Sequence, residues 1–350
     1  MPSIISKSAF NLDCRILDGR PLLSRRICVL DTGYESYDME REILAREGYR
    51  LEVYEGDRLE LASKLAFATG AEGIFVRWSE FSDEAFDALP GLRCLVRYGV
   101  GHDNINLRSA SERGIKVCNV QGYANHSVSD HTLALILSCV RSLPEGMRGL
   151  RPHYAQPPRS HMPELRELTL GIVGLGRIGG TLCAKARMLF REVLACDPYI
   201  PPERFLEFGA RPCVLDELLA ESEVVSLHCN LTDETRGLIG AAAFDRMRPN
   251  AILINTARGP VVDEAALTEA LIGGGIYAAG LDVFEDEPPK ANRDALLVHP
   301  YLVATGHYAW YSTAASCELQ RRAALNMAAM LRGETPEDCL NSEAFRVRGQ

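Results

Sequence analysis

Three short segments combine residue types that could bind a small anion and move a proton. The segment 255–260, NTARGP, places Arg258 after a predicted strand, where its planar, permanently charged guanidinium suits a carboxylate and a neighbouring carbonyl oxygen. The segment 282–289, DVFEDEPP, is an acidic turn, and the segment 305–310, TGHYAW, has His307 just past another predicted strand. Histidine titrates in the working pH range, and a nearby carboxylate favours its protonated form. An arginine, a carboxylate and a histidine are together sufficient for anchoring and acid–base catalysis.

Each of these features also has an ordinary structural explanation. A histidine at a strand end is more often structural than catalytic, and an acidic turn is usually a solvated loop. An arginine after a strand often forms a surface ion pair. The spacing alone therefore leaves both interpretations open, and it does not select one carboxylate of the acidic turn.

A glycine-rich stretch in the middle of the chain has the pattern of a dinucleotide-binding turn. The aliphatic run at 169–173 predicts a strand, the next six residues are GLGRIG, and a helical pattern follows. Gly174 allows a tight turn, Gly176 lets the backbone approach a pyrophosphate, and Gly179 lets the helix pack near the strand. The helix N-terminus would add free N–H groups and a positive dipole end for the phosphates.

The residue after the next predicted strand indicates which dinucleotide binds. That strand, at 191–196, ends at Asp197, and a carboxylate there hydrogen-bonds a ribose 2′-hydroxyl and repels a 2′-phosphate. Pro198 and Tyr199 follow, with no Arg or Lys that would accept NADP. A structural glycine turn followed by a solvated aspartate is the alternative. The combination predicts NAD as the cofactor, and we predict no metal.

Composition is that of an ordinary globular protein. The chain has 350 residues, enough for two domains, with 47% hydrophobic and 24% charged residues. The net charge of −9 argues against direct binding to nucleic acid or to an anionic membrane. The apolar run at 133–140 is far shorter than the about 20 residues of a membrane span, so no membrane association is expected.

Cysteine usage predicts a reduced, cytoplasmic protein. The 11 cysteines are odd in number and scattered, with no C-x-x-C pair. Several lie in apolar runs, where a free thiol acts as a small core residue. The N-terminus lacks the basic and apolar regions of a secretory signal.

Two sets of alternating strands and helices indicate two α/β domains. The first set runs from a strand at 26–30 to a strand at 115–119, and the second begins after a Pro-, His- and Arg-rich linker at 153–164. A helix at 127–143 is apolar nearly all round, which predicts burial against another domain or subunit. Residues 1–25 show no strong period and are expected to form an extension or an arm.

The predicted fold class is α/β, with two Rossmann-like domains, one flavodoxin-like and one NAD-binding, each with a parallel sheet. The substrate-binding domain is expected at residues 1–124, completed by residues 309–350, and the NAD-binding domain at residues 125–308. The last helix, from about residue 313 to 331, would cross back to the first domain. Ligands of open α/β sheets bind beyond the carboxyl ends of the strands, so we expect the site in an interdomain cleft.

In combination these segments resemble the D-isomer-specific 2-hydroxyacid dehydrogenase family. The shared motifs are GLGRIG, NTARG followed by VDE at 262–264, GLDVFEDEP and the late histidine, and the resemblance runs from about residue 90 to 332. The C-terminal-binding-protein branch is the most similar, through HYAWYS at 307–312 and VCNV at 117–120. The chain departs from the family at Thr305 and Gly306, where a proline is usual.

The resemblance implies three catalytic residues. Arg258 would bind the carboxylate and the carbonyl of the substrate, and His307 would be the catalytic histidine. The glutamate that pairs with the histidine would be Glu287 rather than Glu285 or Asp286, because it is the one that precedes the proline.

The resemblance also implies binding residues. The backbone of Val100 and Gly101 would hold the substrate carboxylate, with Arg97 and Trp310 as pocket walls. Arg177 and Ile178 would contact the pyrophosphate of the cofactor, and Cys229 and Asn230 its adenosine. Thr256, Ala257 and Asp282 would contact the nicotinamide.

The activity expected from the resemblance is reversible hydride transfer between NAD(H) and a 2-oxo or 2-hydroxy acid by a homodimer. The alternative is an NAD(H)-sensing, dimeric, corepressor-like regulator with little turnover, since that branch keeps the same three residues. A formate-dehydrogenase-like member is less expected, because formate oxidation needs no proton-donating Glu–His pair.

Overall fold

The computed structural model describes residues 25–345 apart from residues 152, 153, 159, 292 and 293, together with residues 16, 17, 20 and 21. Most of the expected extension at 1–25 therefore lies outside the described residues, as do residues 153 and 159 of the predicted linker. Two short antiparallel strands, β1 (Ile16–Leu17) and β2 (Arg20–Pro21), belong to this N-terminal part.

The chain divides into two compact units. The first consists of the residues up to Tyr123 and from Cys317 onward, and the second of Ala124–Ser316. The first predicted boundary, at 124/125, differs from the observed one by one residue. The predicted return, at 308/309, lies eight residues before the observed one, since the chain leaves the second unit after Ser316.

Hydrogen bonds explain why residues 309–316 stay with the second unit. The backbone N–H of Ala309 donates to the carboxylate of Asp282 at 2.9 Å. The hydroxyl of Ser312 lies 2.9 Å from that of Ser127. These partners lie far away in the chain, so local sequence patterns do not reveal the contacts.

The first unit contains a five-stranded parallel sheet. Its strands are β3 (Arg26–Val29), β4 (Arg50–Val53), β5 (Gly73–Val76), β6 (Cys94–Arg97) and β7 (Lys116–Cys118). Its helices are α1 (Asp38–Arg46), α2 (Leu61–Phe67), α3 (Asp83–Asp87) and α4 (Leu107–Glu112). The strand order β4-β3-β5-β6-β7 is the flavodoxin-like order.

Apolar runs account for the central strands of this sheet. Residues 27–29 in β3 and 74–76 in β5 are all 0% exposed. Continuous apolar strands are typical of parallel sheets that are covered on both faces.

A buried ion pair fixes the turn that follows β5. Lys64 in α2 donates to Oδ1 of Asp31 at 2.6 Å, and the two side chains are 2% and 0% exposed. Oδ2 of Asp31 accepts the backbone N–H groups of residues 77–79 at 2.7 to 2.9 Å. Burial opposes ionisation, but these bonds, led by those of Lys64 and Ser79, hold the pKa of the Asp31 carboxyl below its ordinary value. The carboxylate is therefore charged and paired at neutral pH.

The second unit contains a seven-stranded parallel sheet. Its strands are β8 (Thr169–Val173), β9 (Glu192–Cys196), β10 (Arg211–Pro212), β11 (Val224–Leu227), β12 (Ile252–Asn255), β13 (Ala278–Leu281) and β14 (Leu302–Ala304). The strand order is β10-β9-β8-β11-β12-β13-β14, which contains the Rossmann order. The two parallel sheets confirm the predicted fold class.

Helices connect these strands, and a last helix continues into the first unit. They are α5 (Asn125–Val140), α6 (Leu143–Gly149), α7 (Arg177–Ala186), α8 (Pro202–Phe208), α9 (Leu215–Glu221), α10 (Ala241–Phe244), α11 (Glu264–Ile272), α12 (Asp294–Leu297) and α13 (Thr313–Leu331). Within the described ranges, no helix combines the length and the hydrophobicity that crossing a membrane requires.

Helix α5 packs on the sheet of its own unit. Its buried residues include Leu135 and Cys139, and an added Cβ at Gly280 in β13 would lie 3.1 Å from the Cβ of Leu135. The helix ends at Val140, earlier than predicted, because Ser142 adopts a left-handed φ of 50°. Burial of α5 is therefore explained within the unit and does not by itself indicate a subunit interface.

Replacing Lys64 by methionine should destabilise the first unit. Asp31 would stay buried without its cation, which costs about 3–5 kcal/mol of unfolding free energy. The chain has two tryptophans, Trp78 in the first unit and Trp310 in the second. In a Trp310→Phe background, tryptophan fluorescence during urea unfolding reports on the first unit alone.

The matched control removes an exposed ion pair. Arg46 and Glu42 pair on the surface of α1 with side chains 71% and 68% exposed. Arg46→Met should therefore cost less than about 1 kcal/mol. Equal losses for the two variants would contradict the importance of the buried pair.

Candidate active site

The three segments that could do chemistry follow neighbouring strands of the second sheet. β12, β13 and β14 are adjacent and parallel, and they end at Asn255, Leu281 and Ala304. The carboxyl ends of parallel strands meet at one edge of a sheet. Arg258, the acidic turn and His307 therefore leave the sheet side by side.

A hydrogen bond couples His307 to Glu287. Nδ1 of His307 lies 2.5 Å from Oε2 of Glu287, and Oε1 accepts the backbone N–H of Phe284 at 3.2 Å. Because Nδ1 is engaged, Nε2 is the ring nitrogen that can pass a proton to a bound molecule. The side chains are 39% and 38% exposed, so a small molecule can reach the pair.

The three carboxylates at the end of the acidic turn have different partners. Oε1 of Glu285 accepts the backbone N–H of Glu264 at 3.0 Å. Asp286 forms an ion pair of 2.8 Å with a lysine four residues later. Glu287, the glutamate selected by the resemblance, is the one bonded to His307.

Arg258 acts electrostatically on the same carboxylate. Burial opposes ionisation of Glu287, but the hydrogen bond and charge of His307, a backbone N–H and the charge of Arg258 together hold the pKa of its carboxyl below its ordinary value. Asn255 fixes the arginine loop, since its side chain accepts the N–H of Ala257 at 3.0 Å and donates to the Arg258 carbonyl at 2.9 Å. The site therefore combines a fixed cation with an ionised glutamate and a histidine.

The arginine loop and the acidic turn touch through their backbones. An added Cβ at Gly259 would lie 1.9 Å from the carbonyl carbon and oxygen of Phe284. Glycine is therefore required for this approach. The loop that carries Arg258 rests against the turn that carries Glu287.

Asp282 fastens the loop that carries His307, a role that the sequence did not reveal. Its Oδ1 accepts the hydroxyl of Thr305 at 2.6 Å and the N–H of Tyr308 at 3.1 Å, and its Oδ2 accepts the N–H of Ala309 at 2.9 Å. The backbone N–H of His307 itself donates to the Asp282 carbonyl at 2.7 Å, and His307 has a left-handed φ of 54°. Asp282 is 1% exposed. Its expected contact with a nicotinamide carboxamide stays a prediction.

Helix α5 supplies further supports that were also missed. Nε2 of His131 lies 2.9 Å from the hydroxyl of Thr305, and its ring packs edge-on against Tyr308 at 5.2 Å between centroids. The hydroxyls of Thr132 and Thr256 lie 3.0 Å apart. The available signal was the His-Thr pair directly before the apolar run at 133–140.

The glycine turn has the shape that a dinucleotide needs. Gly174 has a φ of 92°, and an added Cβ there would lie 2.7 Å from the backbone nitrogen of Cys229. An added Cβ at Gly179 would lie 2.1 Å from the Gly174 carbonyl oxygen. At Gly176 it would meet no heavy atom within 4 Å, so the N-terminus of α7 faces open space. These observations fit a pyrophosphate bound at the turn.

The glycine turn holds Asp197, the residue that is expected to bind the ribose of the cofactor. Its Oδ2 accepts the N–H of Leu175 at 2.9 Å, and its Oδ1 accepts the N–H of Tyr199 at 3.0 Å. A carboxylate has about four acceptor positions, so both oxygens can still accept a ribose hydroxyl. The structure thus joins the acidic residue and the glycine turn in one arrangement.

The other predicted cofactor residues begin α7 or follow the two strands on one side of β8. Arg177 and Ile178 begin α7. Cys229 and Asn230 come after β11, which pairs with β8 where the strand order reverses. Residues 256 and 257 come after β12, the next strand in the sheet.

The predicted substrate residues divide between the two units. Arg97, Val100 and Gly101 belong to the first unit, where the side chain of Asn119 donates to the Val100 carbonyl at 2.6 Å. Trp310 belongs to the second unit, in the loop with the histidine. Contact of these residues with a substrate stays a prediction.

Comparison with known proteins agrees with this geometry. The family model described as D-isomer specific 2-hydroxyacid dehydrogenase, NAD binding domain, matches residues 133–309. A glyoxylate reductase of Korarchaeum cryptofilum is 38% identical over 76% of this chain and 81% of its own length. The chain belongs to the D-isomer-specific 2-hydroxyacid dehydrogenase family. The second unit contains the NAD-binding domain of this family, and NAD is the cofactor.

Two further comparisons describe the range of similarity within this family. A D-3-phosphoglycerate dehydrogenase of Archaeoglobus fulgidus is 37% identical over 77% of this chain, which spans about half (50%) of that relative's length. The structure of a D-lactate dehydrogenase from Aquifex aeolicus, complexed with NAD and lactic acid, has a TM-score of 0.80 and 28% identity, covering 93% of this chain and 100% of that one. The predicted family, fold and cofactor are confirmed, whereas the C-terminal-binding-protein branch stays a prediction.

Replacing Asp197 by asparagine should weaken the preference for NADH over NADPH. Asparagine keeps an oxygen for the Leu175 N–H but loses the charge that repels a 2′-phosphate. We expect the ratio of the NADPH and NADH dissociation constants to fall by about tenfold, which corresponds to about 1.4 kcal/mol. Fluorescence titration with each dinucleotide measures the ratio. Glu203→Gln is the control, because it removes an exposed carboxylate from α8 and should leave the ratio unchanged. An unchanged ratio in Asp197→Asn would contradict the assignment of Asp197 to the ribose of NAD.

Proposed function

We propose that this chain is an NAD-dependent D-2-hydroxyacid dehydrogenase, which transfers a hydride reversibly between NAD(H) and a 2-oxo or 2-hydroxy acid. The observation that carries the proposal is the 2.5 Å bond between His307 and Glu287, with the charge of Arg258 acting on the same glutamate. Relatives named as a glyoxylate reductase and a D-lactate dehydrogenase support this substrate class, since glyoxylate is a 2-oxo acid and lactate a 2-hydroxy acid.

Each of the three side chains has a distinct part in the proposed reaction. Arg258 binds the substrate carboxylate and orients the adjacent carbonyl. Bound NADH would supply the hydride that reduces the carbonyl carbon. His307 donates the Nε2 proton to the carbonyl oxygen, and Glu287 orients the ring and stabilises its charged form. In the oxidative direction neutral His307 accepts the hydroxyl proton.

The three side chains favour an enzyme over a purely regulatory protein. An NAD(H)-sensing regulator needs only the glycine turn and Asp197 to bind its ligand. It has no chemical need for a histidine hydrogen-bonded to a glutamate on which the charge of an arginine also acts. In this proposal the resemblance to the corepressor-like branch reflects common ancestry. Catalytic turnover is the main role of the chain.

We also infer a cytoplasmic homodimer. Support comes from exposed apolar side chains that follow one another along the end of α5, α6 and the segment after it; they are Leu137 (39%), Leu143 (50%), Met147 (79%), Leu150 (62%) and Tyr154 (78% exposed). Contiguous exposed apolar surface marks protein interfaces. Light scattering on the purified protein measures the oligomeric state. The cytoplasmic location is supported separately by the scattered cysteines, which include no C-x-x-C pair.

Replacing His307 by glutamine should abolish most turnover without loss of cofactor binding. Glutamine fills similar space but cannot donate a proton as an acid, so kcat for NADH-dependent reduction should fall by about 100- to 10,000-fold. The assay follows NADH oxidation with a panel of 2-oxo acids that includes glyoxylate and pyruvate. The dissociation constant for NADH should be unchanged.

His299→Gln is the control, because His299 lies before β14 and packs against Tyr301 rather than Glu287. It should retain wild-type turnover. A His307→Gln variant as active as the wild type would refute the acid. Tight NADH binding by the wild type with no turnover across the panel would favour the regulator.

Replacing Glu287 by glutamine should shift the pH dependence of reduction. Because the pKa of Glu287 is lowered in the folded protein, its negative charge is present throughout the neutral range and is lost only as the pH falls through that lowered value. The charge favours protonated His307, the form that reduction requires. The alkaline limb of kcat/KM against pH should therefore move to lower pH in Glu287→Gln. Glu285→Gln is the control, and an unmoved limb in Glu287→Gln would count against the coupling.

A further inference from the structure

Two cysteines face each other where the C-terminal segment meets the first sheet. Cys118, the last residue of β7, and Cys339 form an isolated antiparallel bridge. The residues on either side of each cysteine are joined by backbone hydrogen bonds of 2.8 and 3.3 Å, whereas the cysteines share none. This pattern defines a non-hydrogen-bonded pair, in which the Cα atoms lie closest, at about 4.5 Å, and the side chains share one face.

The two thiols lie side by side and are shielded from bulk water. The Sγ of Cys118 donates to the Sδ of Met330 at 3.4 Å, and the Sγ of Cys339 donates to Oδ1 of Asn341 at 3.6 Å. Cys118 is 0% and Cys339 is 7% exposed. The Cα separation of such a pair falls within the range that a disulfide spans, so the bond can form without moving the backbone.

The surroundings divide the two thiols into a nucleophile and a proton donor. The neighbouring Cys118 thiol, backbone N–H groups and the nearby Lys116 ammonium lower the pKa of Cys339, although burial opposes them. The proximity of Cys339, together with burial, raises the pKa of Cys118. A thiolate at Cys339 is the form that oxidants attack.

We propose that Cys118 and Cys339 are a redox modification site, which a small peroxide converts into an intrachain disulfide. The Cys339 thiolate attacks one peroxide oxygen, breaking the O–O bond and giving a sulfenic acid and hydroxide. The Cys118 thiol gives its proton to this hydroxide and attacks the sulfenic sulfur, forming the S–S bond and expelling a second hydroxide. That hydroxide takes up a proton from solvent. In sum the two thiols lose two electrons, and hydrogen peroxide becomes two molecules of water.

The disulfide would attach the C-terminal segment covalently to β7. Polar contacts already hold this segment, since Asn341 accepts the N–H of Val117 at 3.0 Å and Asp338 pairs with Arg322 at 2.5 Å. The closed loop from residue 118 to residue 339 contains the whole second unit. Closing so long a loop stabilises the folded state by restricting the unfolded chain.

Cys94 provides a matched comparison within the same core. It is buried on β6, the parallel neighbour of β7, and its register partner is Lys116 rather than Cys118. Cys94 is therefore close to the pair but is not opposite either thiol on an antiparallel strand. Cys317, which is exposed, offers a second comparison because the oxidant can reach it freely.

The test maps disulfides in the full chain and does not depend on dehydrogenase activity. The protein is reduced, freed of reductant, exposed to hydrogen peroxide, and alkylated before digestion and mass spectrometry without reductant. We expect a linked peptide pair containing Cys118 and Cys339, together with a rise in the thermal midpoint that dithiothreitol reverses. Cys94→Ala and Cys317→Ala should keep both effects, and Cys339→Ala should lose both.

Two results would overturn the proposal. One is the absence of the Cys118–Cys339 peptide from wild-type protein in which Cys317 has been oxidised. The other is formation of that peptide with equal yield in folded and urea-unfolded chains, which would show that native geometry does not direct it. Because the wild type is mapped directly, neither result depends on whether a variant folds.

Discussion

The buried carboxylate of Asp282 holds the loop that carries His307 against the sheet. Both of its oxygens accept hydrogen bonds from residues 305–309, and its backbone carbonyl accepts the N–H of His307. These bonds hold His307 in a left-handed conformation that L-residues seldom adopt, and the ring then meets Glu287. The contact between His307 and Glu287 therefore depends on a residue that is 1% exposed.

Parallel strands place the remaining groups at the same edge. The glycine turn follows β8, Cys229 follows β11, Arg258 follows β12, Asp282 follows β13 and His307 follows β14. Each new strand–helix unit adds one more residue to the edge, so residues more than a hundred positions apart become neighbours. The same principle operates in the first unit, where Asp31 after β3 fixes the turn after β5.

Features that depend on local chemistry were predictable from the sequence. The glycine turn, the parallel sheets and the position of Asp197 follow from short patterns, because sterics and hydrophobic runs determine them. The end of the second unit was not predictable, since Ala309 and Ser312 are retained by Asp282 and Ser127. The choice among the acidic residues likewise depended on the family resemblance, because only the fold shows that Glu285 bonds Glu264 while Glu287 bonds His307. The supports from His131 also arise from tertiary contacts.

The backbone contact at Gly259 has a consequence for selectivity. Since Gly259 lies directly on the carbonyl of Phe284, the arginine loop and the acidic turn cannot slide past each other. The spacing between the backbone segments that carry Arg258 and Glu287 is therefore set by main-chain packing. For the proposed reaction, this rigidity would select acids whose carbonyl is directly next to the carboxylate. In an acid with an additional carbon between these two groups, the carbonyl oxygen would lie away from His307 when the carboxylate is bound by Arg258.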